Sequence, residues 1–334
     1  MAGVFLEHIR MKRESKSFTD SLYAVLTAAG LFEGPKYMLS GLSGMAFKFT
    51  VHERLLSMSV SAYGQWGHEH KPAIDNLGIF TESDGGRTRH PTFRHYQREA
   101  VDWVKSSLDR GIAAIYWIPE FGVIHGYDDE DQVFFVQDGY SAHSRVVMYD
   151  NFGLNITPFW CCQLFGEKVD VPRQSMILEA LRLAIQDWDT PYKTLPNKDI
   201  ASGKLAYTFL IQGLKSGDYD ETGAVYILDS YNYSRTEILN FLQDSCGAWP
   251  ELNEAYYLYK QLVGTISGIK DCIAITEADS VRRVEPHRIR ELVDLLMAAE
   301  TLEDEAIHLF RQISRREPDL KRSTVPRWGL HSPR

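Results

Sequence analysis

The stretch PEFGVIHGYDDEDQVFFVQD, residues 119–138, has the pattern of a β-hairpin. An apolar segment leads into the acidic turn DDEDQ, a second apolar segment follows, and Asp138 stands where that segment ends. Short apolar runs separated by polar turn residues are typical of paired antiparallel strands. The polar residues of the hairpin leave two interpretations open: it is half of an active site, or a core hairpin that contains polar side chains.

Strands and helices are predicted in different parts of the chain. Before about residue 160, strands are predicted at IAAIYWI, in the hairpin and at SRVVMYDNFG, with helices at 19–30 and 93–110. After it, apolar residues recur at helical spacing throughout. The sequence therefore predicts an α+β fold with a central antiparallel sheet, followed by a mostly helical C-terminal region. The helical segments are 174–189, 203–217, 234–245, 250–275 and 286–317.

Three local features refine this prediction. Gly41 and Gly44 are expected to permit tight turns. Thr301 with Asp304 resembles a capping box, which would split the last helical segment into two helices. The histidine-containing GHEHKPAID, residues 67–75, is predicted to be a solvated loop.

Composition limits the classes of function. The chain has 334 residues, 44% apolar and 24% charged, and a formal net charge of −9, which argues against a nucleic-acid surface. The N-terminus has no apolar run of signal-peptide length, and no segment approaches the roughly 18 apolar residues of a membrane span. We therefore expect a cytoplasmic protein without membrane or nucleic-acid partners.

Neither a cofactor nor a metal is expected from the motifs. No phosphate-binding glycine loop is present, and the turn DDEDQ lacks the spacing of an EF-hand. The 4 cysteines show no C-x-x-C spacing, so buried, reduced thiols are expected. The histidines of residues 67–75 and of RHPTFRHY lack the spacing of a zinc site.

Several segments, in order, resemble a known family. They are KSFTDSLYAVLTAAG, KYMLSGLSGMAFKF and EFGVIHGYDDEDQVFFVQD, followed by GKLAYTFLIQGL, and together they span pieces of residues 15–215. They resemble the N-terminal domain of the BtrH family of butirosin biosynthesis acyltransferases, whose papain-like fold is akin to that of bacteriocin-processing peptidases. The resemblance implies a papain-like core at residues 1–160. A helical subdomain packing on that core is then expected at 161–317 and a flexible tail at 318–334.

The resemblance also implies a mechanism and the positions of its residues. In the family, a Cys at the start of the first helix is the nucleophile, a His on a central strand takes its proton, and an Asp or Asn after the next strand orients that His. These positions carry Ser17, Glu120 and Asp138 here. A serine needs a strong neighbouring base, and two close carboxylates raise the pKa of one of them.

Other polar residues are candidates beside these three. Strand alternation places His125 and Tyr127 on the face opposite Glu120, unless a bulge at a neighbouring glycine reverses the faces, so His125 is a reserve base and Tyr127 a substrate-binding candidate. Asp20 and Ser21, one turn into the first helix, are substrate-binding candidates whose alternative role is capping that helix. Cys161 or Cys162 as a replacement thiol is a further alternative.

Two functions remain open at this point. One is an acyltransferase or amidohydrolase of peptide or natural-product metabolism with a Ser/Glu/Asp site, acting on a small-molecule or acyl-carrier-bound substrate. The other is an inactive relative that binds a small polar or cationic ligand, or a protein partner, in the same cleft. The aromatic residues of AYYLYK and SYNYSR are consistent with a homo-oligomer, with packing inside the monomer as the alternative.

Overall fold

The computed structural model describes residues 3–61, 66–193, 198–275 and 280–318, and at 66–68 the backbone alone. It divides the chain into two compact units. The sheet unit comprises the described residues up to Pro35 together with Gly78–Asp170. The helical unit comprises Lys36–Leu77 and the described residues from Val171 onward. The division differs from the predicted boundary, because residues 36–77 belong to the helical unit. Most of the predicted tail lies outside the described residues.

The chain passes through each unit twice, so the elements of each unit come from two separate stretches of sequence. The strands are β1 (Gly3–Phe5), β2 (Thr50–His52), β3 (Ile79–Arg87), β4 (Ala114–Trp117), β5 (Phe121–Asp128), β6 (Val133–Gln137), β7 (Arg145–Met148), β8 (Phe159–Lys168), β9 (Ile200–Ser202), β10 (Ile273–Ile275) and β11 (Arg282–Val284). The helices are α1 (Ser17–Ala28), α2 (Lys36–Leu42), α3 (Trp66–Asn76), α4 (Phe93–Asp109), α5 (Arg173–Asp189), α6 (Lys204–Ser216), α7 (Glu221–Ser245), α8 (Asn253–Ile266) and α9 (Ile289–Arg316).

The sheet unit is built on one antiparallel sheet. Its strand order among the described residues is β3-β8-β4-β5-β6-β7, and β1 pairs with the C-terminal half of β5. Helix α4 packs its apolar face on one side of the sheet, against a core that includes Ile124 and Phe134. Helix α1 packs on β4 and β5, where the rings of Phe18 and Phe121 lie 5.4 Å apart. Phe121 and Ile124 are three positions apart on β5, so α1 and α4 lie on opposite faces of the sheet.

The predicted hairpin is present as β5 and β6, and its pairing contains a β-bulge. Ile124 pairs with Val136 and Gly126 with Phe135, so His125 is the extra residue on β5. A bulge shifts the alternation of the strand by one position. Tyr127 therefore shares the α4-facing core with Ile124, and not the face of Phe121 that regular alternation predicts.

The helical unit confirms the predicted helical C-terminal region, with two corrections to its segments. The segment predicted at 234–245 is the end of a longer helix, α7. The prediction of a capping box is wrong, because α9 continues through Thr301 and Asp304 without a break. The Thr301 hydroxyl donates to the Met297 carbonyl within the helix, and the Asp304 carboxylate accepts from Trp188 Nε1 at 2.9 Å.

Two further predictions in this unit are wrong. Gly41 lies within α2 instead of a turn, and it permits close helix packing, because a Cβ there would lie 2.2 Å from the Phe241 ring. Residues 67–75 belong to α3 and not to a loop, although Pro72 removes one backbone donor. His70 and Ile74 on this helix are buried, so burial of one face outweighs the polar composition of the segment.

A buried ionic network lies at the centre of the helical unit. Arg235 Nη2 donates to both carboxylate oxygens of Glu303 at 2.9 Å, and both side chains are almost fully buried. The hydroxyl groups of Tyr207 and Tyr259 donate to the same carboxylate, and Tyr231 hydrogen-bonds to Tyr207. The network thus joins α6, α7, α8 and α9 around one carboxylate. Among the helices that the described ranges contain, none has the length and apolar composition needed to cross a membrane.

Candidate functional site

Ser17 occupies the first position of α1 in the sheet unit. Lys16 before it is extended, with φ −115° and ψ 133°, and the helix begins at Ser17. The Ser17 side chain is buried, and its hydroxyl donates a hydrogen bond to Glu120 Oε2. A helix N-terminus carries partial positive charge, which would stabilise a negative charge placed on Ser17 Oγ.

Glu120 lies in the tight connection between β4 and β5. The Ile118 amide donates to the Glu120 carbonyl at 2.9 Å, which closes this turn and directs the Glu120 side chain towards the start of α1. The Glu120 side chain remains 19% exposed, while its hydrogen-bond donor Ser17 is buried. The structure thus brings together Ser17 and Glu120, two of the four candidate catalytic residues.

Asp138 directly follows β6, but its carboxylate serves the loop beyond the strand. Oδ1 accepts from the amides of Tyr140 and Ser141 at 2.9 and 3.1 Å, and Oδ2 accepts from Arg145 Nη1 at 3.3 Å. Burial acts to raise the pKa of Asp138, but these hydrogen bonds together outweigh it and lower that pKa. The carboxylate is therefore ionised and shapes the loop, and its hydrogen bonds do not orient Glu120.

Arg13 is the residue of this site that the sequence did not single out. Its Nη2 donates to the carbonyls of Asp138 at 2.7 Å and Phe121 at 3.2 Å, and its Nη1 lies 4.0 Å from Glu120 Oε2. Tyr140 lies over the guanidinium at 5.0 Å. Arg13 thus joins the backbone of both hairpin strands to the Glu120 carboxylate. Its sequence context, KRES ahead of Ser17, has no spacing rule that would reveal this role.

Asp20 and Ser21 hold the segment that leads into α1. The Asp20 carboxylate accepts from the amides of Glu14 at 2.9 Å and Ser15 at 3.2 Å. The Ser21 hydroxyl contacts Met11 Sδ at 3.6 Å. These contacts hold the backbone ahead of Ser17, and because Glu14 and Ser15 precede α1, the two hydrogen bonds are not those of a helix cap.

His125 and Tyr127 lie away from Ser17 and Glu120. His125 is buried at the bulge, where Nε2 contacts Ser144 Oγ at 2.8 Å and the ring packs on Phe5. Burial lowers the pKa of His125, so the imidazole is neutral near pH 7. Tyr127 donates to Asp109 of α4 at 2.8 Å, which raises the pKa of Tyr127 to about 12. Both residues have structural partners in the sheet unit.

None of the four cysteines has the lowered pKa of a reactive thiol. Burial raises the pKa of Cys161 to about 12 and that of Cys162 well above its ordinary value. The pKa values of Cys246 and Cys272 are also raised by burial. All four are free thiols. Since the thiolate is the reactive form, these raised pKa values disfavour the four cysteines as replacements for the thiol that the family resemblance implies.

A second cluster of charged groups lies in the helical unit. Lys48 contacts Glu69 and Asp187, and Lys193 contacts the same two carboxylates, so two cations and two anions alternate in a ring. Burial acts to lower the pKa of Lys48. The attraction of the Asp187 and Glu69 carboxylates is larger than this effect, so the pKa of Lys48 is raised. The ring is charge-balanced and mutually hydrogen-bonded, as a structural network would be. In the residues that the structure describes, no group of His, Cys, Asp and Glu could hold a metal ion.

Comparison with protein-family models and with curated proteins identifies no relative of this chain. No protein-family model matches the chain, and no curated protein matches it. The BtrH-like segments are therefore a likeness of sequence only, and the activity that they imply stays a hypothesis.

Proposed function

We propose that the sheet unit is a papain-like core and that it catalyses acyl transfer or amide hydrolysis, with Ser17 as the nucleophile and Glu120 as its base. The observation that carries the proposal is the hydrogen bond from Ser17 Oγ to Glu120 at the N-terminus of α1. A nucleophile in direct contact with a proton acceptor is the arrangement that covalent catalysis requires.

The surrounding geometry supports this assignment. A helix that carries the nucleophile at its N-terminus packs on the strands that follow and precede Glu120, as the family resemblance leads us to expect. Asp138 also follows the next strand, although its carboxylate holds the loop instead of the base. The proposal therefore assigns catalysis to a Ser17–Glu120 dyad, and gives Asp138 a positioning role through the carbonyl that it offers to Arg13.

The reaction proceeds in two proton-balanced steps. Ser17 Oγ attacks the acyl carbonyl carbon while Glu120 takes the hydroxyl proton, and the thiol or amine leaves with that proton as its bond to carbon breaks. Water or an acceptor amine then attacks the acyl-serine ester. Glu120 takes one proton from this nucleophile and returns it to Ser17 Oγ, which restores the free enzyme.

Turnover of acyl thioesters in the presence of amines tests the proposal. We expect product by chromatography and an acyl adduct on Ser17 by mass spectrometry with the wild-type protein. Both should be lost in Ser17→Ala and Glu120→Gln, and kept in the control variants Ser106→Ala and Glu99→Gln, which change exposed residues of α4. Full turnover in both site variants would show that these roles are wrong.

A binding protein without catalysis is the second candidate. Two observations favour it: Ser17 is buried, and the Asp138 carboxylate does not reach the base position. In this case the same cleft binds a small polar ligand or a protein partner. Native mass spectrometry with a metabolite library should then find a bound ligand that is recovered unchanged, and an acyl adduct on Ser17 would exclude this function.

A further inference from the structure

We propose that Arg13 is the anion-binding residue of this site, and that its ligand is a small molecule of the amino-acid type whose carboxylate contacts the guanidinium. This inference names the ligand class of the site and in that sense rests on the proposed function. The inference goes beyond the proposed function because none of the roles assigned to Ser17, Glu120 or Asp138 requires an anion in the ligand.

The first argument is that Arg13 has buried donors without acceptors. Its side chain is only 5% exposed, yet Nε and Nη1 have no hydrogen-bond partner in the described structure. Both bonds of the guanidinium come from Nη2, and the Glu120 carboxylate stays 4.0 Å from Nη1, beyond hydrogen-bond distance. A buried charged donor that lacks an acceptor costs free energy, and a ligand oxygen at Nη1 would remove that cost.

The second argument concerns the charge of the ligand. Arg13 carries one positive charge, and Glu120 places one negative charge beside it. A phosphate, with close to two negative charges, would be repelled by Glu120 more strongly than a carboxylate. An ammonium group on the same ligand would be attracted by Glu120. One anion next to one cation is the charge pattern of an amino acid, which complements the Arg13 and Glu120 pair.

The third argument concerns access to the guanidinium. Tyr140, whose ring covers Arg13 at 5.0 Å, is itself 67% exposed and lies in the loop after β6. This loop also contains Gly139 at φ +82°, whose carbonyl accepts from the Arg13 amide at 3.1 Å. Tyr140 is therefore the exposed side chain that a ligand would displace to reach the guanidinium.

The experiment uses the full chain labelled with ¹⁵N-arginine and a panel of free L-amino acids as probes. We expect at least one amino acid to shift the Arg13 Nε–H resonance, which is assigned by its loss in Arg13→Lys. The amide of that amino acid, without a carboxylate, should bind at least about tenfold more weakly. Absence of any shift across the panel overturns the proposal, as does equal affinity for acid and amide.

Calorimetry on variants gives a second, independent readout. The affinity for the probe should fall about tenfold or more in Arg13→Gln and stay unchanged in Arg98→Gln, an exposed arginine of α4. Unchanged affinity in Arg13→Gln overturns the proposal. If this variant does not fold, the resonance titration of the wild-type protein decides alone. Binding is also measured in Ser17→Ala, so that ligand recognition can succeed or fail separately from catalysis.

Discussion

The Ser17 hydroxyl donates a hydrogen bond to the Glu120 carboxylate, and 103 positions of sequence separate the two residues. The bond joins the N-terminus of α1 to the residue that precedes β5, and Arg13 Nη1 lies 4.0 Å from the same carboxylate oxygen. A hydroxyl and a carboxylate thus stand in contact at the two positions where the BtrH resemblance implies a thiol and an imidazole.

Restoring the thiol and imidazole tests whether these two positions form a catalytic geometry. We expect Ser17→Cys with Glu120→His to react with iodoacetamide at pH 7 about tenfold faster than Ser17→Cys alone. A helix N-terminus and a protonated imidazole stabilise a thiolate, whereas the Glu120 carboxylate disfavours it. The rate is measured by mass spectrometry of the modified peptide.

The background in this experiment is low, because the pKa values of the four native cysteines are raised. Ser17→Cys with Glu99→His serves as the control, since it adds a histidine at an exposed position of α4. Equal alkylation rates in the two double variants would mean that residue 120 does not act on residue 17.

Removal of Arg235 should strongly destabilise the helical unit. Arg235→Met leaves the Glu303 carboxylate buried without a cation, and breaking a buried pair in this way costs about 3–5 kcal/mol. Adding Glu303→Leu should recover part of that loss, because no unpaired charge then remains. Urea unfolding measures the free energies. The exposed pair of Arg282 and Asp229 is the control, and Arg282→Met should cost less than about 1 kcal/mol.

Gly203 should tolerate alanine much less well than Gly217 does. Both have positive φ, +58° and +72°, so both substitutions strain the backbone. A Cβ at Gly203 would also lie 2.2 Å from the Asp187 carbonyl oxygen. A Cβ at Gly217 would have no neighbouring atom within 4 Å. We expect Gly217→Ala to cost about 1 kcal/mol and Gly203→Ala clearly more. Similar melting temperatures of the two variants would contradict this account.

Stability should decrease as the pH falls below about 6.5, partly because of His70. Burial and the nearby Lys48 lower the pKa of His70 in the folded protein well below its ordinary 6.5. The unfolded chain therefore binds a proton that the folded chain does not, and the free energy of unfolding falls as the pH drops from 6.5 towards the folded pKa.

The contribution of His70 is measured by urea unfolding at pH 7.5 and 5.0. His70→Gln should reduce the difference between the two pH values, because its side chain does not titrate. His8→Gln, at an exposed position, should leave the difference as in the wild-type protein. Equal pH dependence in the wild-type protein and His70→Gln would rule out the proposed role of His70.

Elements with a clear apolar period could be predicted from the sequence, and elements defined by their neighbours could not. The predicted hairpin and α4 lie near their observed positions, because the hairpin consists of two short apolar runs around a polar turn and α4 repeats its apolar residues at helical spacing. The sequence does not predict strand β3, because TESDGGR is polar and rich in glycine. The segment forms a strand through its pairing with β8 at the sheet edge. The sequence does not predict helix α3 either, because the packing of its buried face, and not its polar composition, determines this helix.

The candidate site was predictable only in part. The family resemblance led to Ser17 and Glu120, and the structure places them in contact. The bulge at His125 decides the position of Tyr127, and a single inserted residue leaves no periodic signal in so short a strand. Arg13 acquires its role from carbonyls more than a hundred positions away, which no local pattern encodes.

The alternating ring of Lys48, Glu69, Lys193 and Asp187 has a consequence for how this sequence can change over evolution. Each charge of the ring is balanced by two neighbours of opposite sign, so loss of one residue leaves a buried excess charge. A cation and an anion are therefore expected to change together, and single replacements should be rare among natural variants. These four positions are expected to covary as a set, although three separate segments of the chain supply them.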